Sequence, residues 1–114
     1  MREKLLAYIQ ANPRSTFSEI EQFFEREKFA YQGEMCIDLR VGSNIMLWDG
    51  WSSEAADLLL ELLHSGRIVF QSASWIEWMC FGKLYKLPIA KRLEHDYKEL
   101  HWLPVVVSAA GEKV

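Results

Sequence analysis

The sequence predicts a single α+β domain with three main helices and a β-hairpin inserted between the second and the third. Three observations carry that prediction. Apolar residues recur at helical spacing over 2–12, 17–29 and 53–64. The period switches to two between Met35 and Trp48. Short β-rich runs follow the third helical segment.

The first helix, 2–12, places Leu5, Leu6 and Ile9 on one stripe with Tyr8 beside it, and Asn12-Pro13 ends it, because proline cannot continue the helical ladder. Thr16 and Glu19 form T-x-x-E, a capping box that opens the second helix, whose apolar face is Phe17, Ile20, Phe23 and Phe24. Ile37, Leu39 and Val41 then alternate with Asp38 and Arg40, Gly42-Ser43-Asn44 supply turn chemistry, and Ile45–Trp48 return, which together read as a hairpin.

Ser52 or Ser53 caps the third helix. Its Ala55, Leu58, Leu59, Leu62 and Leu63 fall at i, i+3, i+4, i+7 and i+8, and Gly66 stops it. Leu59, Leu62 and Leu63 are expected in the core against Phe17, Ile20 and Leu5. A strand over 67–71, a short helical turn over 75–81 and a returning strand over 84–87 come next. A short charged helix is one reading of the segment after Pro88, Val105–Val107 reads as an edge strand, and residues 109–114 read as a flexible tail to a domain spanning 1–108.

Two stretches resemble a known family. Tyr8 to Ile20 looks like the first two helices of a winged-helix domain, and Leu59-Leu60-Leu62-Leu63 followed by Ser65-Gly66-Arg67-Ile68 looks like its junction from third helix into wing strand. The resemblance implies helix, helix, helix and then a β-hairpin wing, with the third helix placed to enter a DNA major groove. Here more than twenty residues separate the second and third helices, and the wing is enlarged by Trp75–Phe81. Leu87–Arg92 followed by His101–Val106 is similar to the C-terminal part of small prophage and mobile-element proteins of Gram-positive bacteria. That likeness implies a bacterial cytosolic setting and brings no activity.

Composition narrows the function classes. Half of the 114 residues are apolar and the net charge is −3, a balance that lends no general support to nucleic-acid binding. Residues 1–57 carry ten acids and six bases, residues 58–114 six acids and seven bases. The candidate phosphate contacts are therefore Lys83, Lys86, Lys91, Arg92 and Lys98. No P-loop, metal-ligand spacing or nucleophile elbow occurs, so an enzyme, a cofactor and a small-molecule substrate are not expected. Cys36 and Cys80 sit among apolar neighbours and read as small core hydrophobes with raised thiol pKa. No apolar run approaches the ~20 residues of a membrane span, and no signal-peptide core is present, which points to the cytoplasm.

The third helix separates two functions. With its leucine stripe buried, the opposite face presents Glu54, Asp57, Glu61 and His64. One carboxylate ~6 Å from a phosphate costs ~0.7 kcal/mol even in bulk water, and three cost ~2 kcal/mol. Ala56 and Leu60 widen the apolar face, which suits a helix packed on two sides or one touching another chain. The expected partner surface is thus Glu54, Ala56, Asp57, Leu60 and Glu61, together with Trp75 and Trp78, three apart on one exposed helical face. This favours an adaptor binding another protein or itself. The alternative is a DNA-binding regulator using the wing and residues 83–98.

Overall fold

A computed structural model describes residues 1–40, 42–82, 84–92 and 94–111. Helix α1 (Arg2–Ala11) buries Leu5, Leu6 and Ile9. After Pro13 the backbone turns through Arg14 at φ 59, and Arg14 N–H donates to Ser108 Oγ at 2.9 Å. Ser15 then pairs antiparallel with Val107, each N–H donating to the other's carbonyl at 2.8 Å. Thr16 caps α2 (Phe17–Arg26) through the full capping box, with Glu19 N–H on its hydroxyl at 3.1 Å and its own N–H on Glu19 Oε1 at 2.9 Å. The helix stops three residues before the expected end. Lys28 takes a left-handed φ of 56, and Phe29 folds back with its N–H on the Phe24 carbonyl at 2.9 Å.

The expected hairpin is present. Strands β1 (Gln32–Asp38) and β2 (Ile45–Trp51) run antiparallel, with Ile37 opposite Trp48. β1 starts earlier than the alternation suggests and ends at Asp38, so Leu39 belongs to the connection; Val41 lies outside the described residues. Gly33 makes the close approach possible, since a Cβ there would stand 2.6 Å from Ser52 Cα and 2.7 Å from the Trp51 carbonyl oxygen.

Ser52 Oγ accepts from Ala55 N–H at 3.1 Å to cap α3 (Ser53–His64). Leu59 and Leu62 are buried with Leu5, Phe17 and Ile20, whereas Leu63 is only half-buried. α3 packs within its own chain against β1, α1 and β3.

The strand that returns after β3 (Ile68–Ser72) differs from expectation. β3 pairs antiparallel with β5 (Val105–Ala109), from Ile68 opposite Ala109 to Ser72 opposite Val105. No strand forms over 84–87 and no helix over 89–100 among the described residues. β5 is one of the two strands of its sheet, as the edge-strand reading of Val105–Val107 has it; it runs on to Ala109, is buried throughout, and touches Ser15 only through the isolated bridge at Val107. Ala109, expected in the tail, is the last residue of β5, and Ala110 N–H donates to the Arg67 carbonyl at 2.9 Å; residues 112–114 lie outside the described residues.

Between β3 and β5 the chain makes the single turn α4 (Trp75–Trp78) and returns through the two-residue β4 (His101–Trp102), parallel to β2. The excursion 73–104 therefore packs on the inserted hairpin rather than projecting alone. Aromatic rings join them: Trp48 meets Phe81 at 5.9 Å and Tyr85 at 5.7 Å, and Tyr85 meets Trp102 at 5.2 Å. Phe17 carries this cluster into the helical core, 5.5 Å from Trp48 and 6.1 Å from Phe70.

Candidate functional site

The packing of β1 on α3 creates the concave feature that matters here. Cys36, Asp38, Leu39 and Arg40 from the hairpin face Leu60, Leu63 and His64 of α3 across a groove of about 370 Å³. That size is at the small end of the ~300–1,000 Å³ usual for ligand pockets. Leu39, Leu60 and Leu63 supply its apolar lining, because on α3 the residues 60, 63 and 64 share one stripe at i, i+3 and i+4. Arg40 Nη2 is engaged by Asp96 Oδ1 at 2.6 Å. Burial raises the pKa of the Asp38 carboxyl, and no cation lies within ion-pair distance of it among the described residues.

Of the predicted partner residues, Glu54, Asp57 and Glu61 are exposed on α3, with Glu61 3.3 Å from Arg2 Nη1. Leu60 is half-buried and lines the groove. Ala56 is 2 % exposed and is core, not surface, buried where α3 packs on other elements of its own chain. Trp75 and Trp78 also divide. Trp75 is 71 % exposed, but Trp78 is half-buried against Trp102 at 5.8 Å, its indole N–H buried without a partner among the described residues. Ile76 and Met79 join Trp75 as exposed apolar groups. The turn is pinned from below, since Ser74 and Glu77 form a capping box and Arg14 grips Glu77 through Nε at 2.9 Å and Nη2 at 2.7 Å. That guanidinium holds the Glu77 carboxyl at about 2, against burial acting the other way.

Lys86, Lys91, Arg92 and Lys98 are exposed, and Lys83 lies outside the described residues. Among these, Lys91 and Arg92 have their backbone N–H groups held by the Tyr97 hydroxyl at 3.2 and 3.0 Å. Tyr97 in turn stacks on His101 at 3.7 Å.

The cysteines are not core hydrophobes. Cys36 and Cys80 are both exposed and form no disulfide. Cys36 shares the groove with His64 and Asp38, and no hydrogen bond joins His64 to Asp38 among the described residues. Among the described residues no cluster of three His, Cys, Asp or Glu side chains could hold a metal ion, and no helix is long and apolar enough to cross a membrane.

Sequence reasoning missed the groove wall on β1. Its signal was present: with Ile37 facing the core, period two turns Cys36 and Asp38 outward. A comparison with protein families, curated proteins and solved structures finds no match for this chain.

Proposed function

We propose that this chain is a non-catalytic protein-interaction module on a modified winged-helix scaffold, with α3 and the groove beside it as the partner surface. Three helices followed by the antiparallel β3–β5 pair keep the order the resemblance implies, with one insertion after α2 and another inside the wing. The observation that carries the reading is the packing of β1 on α3. A helix ~10–12 Å across needs the whole width of a ~12 Å major groove, so a strand along its flank bars entry. What α3 still exposes is acidic, and phosphates repel it.

The DNA-binding reading keeps one observation in its favour, the exposed cations Lys86, Lys91, Arg92 and Lys98 on the second insertion. Binding of a mixed-sequence duplex by wild type and by the triple variant Glu54→Gln, Asp57→Asn, Glu61→Gln separates the two. The module reading predicts weak wild-type binding, of the ~10⁻⁴–10⁻⁶ M non-specific kind at physiological salt. Marked tightening in the triple variant, from an already submicromolar wild type, would place α3 at the phosphates and reject it. Glu54 lies in the first turn of α3, where a carboxylate contributes ~0.3–1 kcal/mol, so thermal unfolding accompanies each titration.

A further inference from the structure

We infer that the groove between β1 and α3 binds a basic, leucine-rich peptide segment of a partner protein, with the partner's apolar side chains on Leu39, Leu60 and Leu63 and its cation on Asp38. This rests on the reading of the chain as a protein-interaction module and specifies which surface binds and what it takes. Charge complementarity decides the class of occupant. Arg40 is satisfied by Asp96, whereas Asp38 faces the groove with no cation at ion-pair distance among the described residues. On the helix side, Asp57 precedes Leu60 by three residues, so a second carboxylate flanks the apolar stripe along that wall, while Glu61 is engaged by Arg2. An acidic or purely apolar segment would leave Asp38 and Asp57 uncompensated at its edge. A lysine or arginine would neutralise them while its aliphatic stem lies along the leucines. The volume admits a few side chains and not a folded domain.

The two thiols are built-in reporters. Cys36 lines the groove, whereas Cys80 is exposed beside the apolar turn α4 and does not. The probe is an amidated peptide of repeating Leu-Leu-Lys-Lys, with a Leu-Leu-Glu-Glu peptide as control, and the readout is the iodoacetamide alkylation rate at each cysteine by mass spectrometry. Saturating basic peptide should slow Cys36 by ~10-fold and leave Cys80 unchanged, and the acidic peptide should slow neither. Asp38→Asn should weaken the basic peptide ~2–5-fold, as loss of one partly screened ion pair does. The double change Glu94→Gln, Glu99→Gln, which removes more charge elsewhere, should not. Leu60→Lys should abolish protection; if that variant fails to fold, Asp38→Asn carries the test. Equal slowing at both cysteines, or none at Cys36, overturns the inference. Slowing at Cys80 alone overturns it too, while leaving the module reading intact with α4 as its surface; only sequence-selective duplex binding removes that reading.

Discussion

Glu21 is expected to be the most sensitive polar position outside the candidate surface. Its Oε2 accepts from the indole N–H of both Trp48 and Trp51 at 2.9 Å, and those rings are 1 % and 0 % exposed. One carboxylate on α2 thus satisfies two buried donors on β2 and ties the inserted hairpin to the helical core. Glu21→Ala takes this acceptor from both buried donors, at ~1–3 kcal/mol each, or ~2–6 kcal/mol together. Against the ~5–15 kcal/mol of a typical domain that is a large fraction. At ~4 °C per kcal/mol for a chain near this length, the melting midpoint should fall by ~8–24 °C. Glu21→Gln keeps an acceptor but loses charge assistance, roughly half of each bond's strength, and should cost ~1–3 kcal/mol. Urea unfolding followed by tryptophan fluorescence and by far-UV circular dichroism measures both. A Glu21→Ala midpoint equal to wild type, or a loss no larger than that of Glu21→Gln, would refute the shared-acceptor argument.

Three further outcomes are expected. The Arg14–Glu77 pair, with both side chains mostly buried, holds Glu77 at about 2 in the folded state, below its ordinary 4.5. Its contribution is therefore complete above pH ~4.5 and lost as pH falls toward 2; after allowance for solvent screening, Glu77→Gln should remove ~1–2 kcal/mol of acid-dependent stability in that window, read from unfolding midpoints at stepped pH. Gly33→Ala drives a methyl into the Trp51–Ser52 backbone at 2.6–2.8 Å and should cost ~1–3 kcal/mol in the same unfolding assay, with Gly42→Ala, whose Cβ would meet open space, as a contrast set only by its positive φ. Both cysteines should react with a thiol reagent in native protein without prior unfolding, since both are exposed; a native chain that labels only after denaturant is added would contradict the placement of β1 and α4.

What could be read from the sequence was local. The α2 cap needs only Thr16 and Glu19, the end of α1 needs Asn12 and Pro13, and the α3 stripe is visible in one window of leucines. Each is a contact between residues a few positions apart, so each leaves a periodic or positional mark. The misreadings came from pairing at a distance. Leu84-Tyr85-Lys86-Leu87 alternates like a strand, yet Tyr85 is turned inward by its hydroxyl on Asp49 and by Trp102, where burial and the Asp49 carboxylate push the phenol pKa up. The true partner of β3 lies over thirty residues downstream, and nothing local marks Val105–Ala109 as that partner. The same remoteness hid the fate of Ala56. The widened apolar face of α3 was legible, but whether it meets β1 or another chain depends on where the hairpin folds back. Cys36 is the exception, because strand alternation alone places it opposite Ile37.

The central claim is that α3, flanked by β1 and acidic where exposed, meets protein and not DNA. Selection from a random-sequence duplex library at physiological salt tests it most directly. The account predicts that no sequence is enriched and that retained duplex binds no more tightly than ~10⁻⁶ M, the limit of purely electrostatic association. Enrichment of one sequence, bound submicromolar and weakened by alanine at Lys86, Lys91 or Arg92, would contradict it and assign the second insertion to DNA.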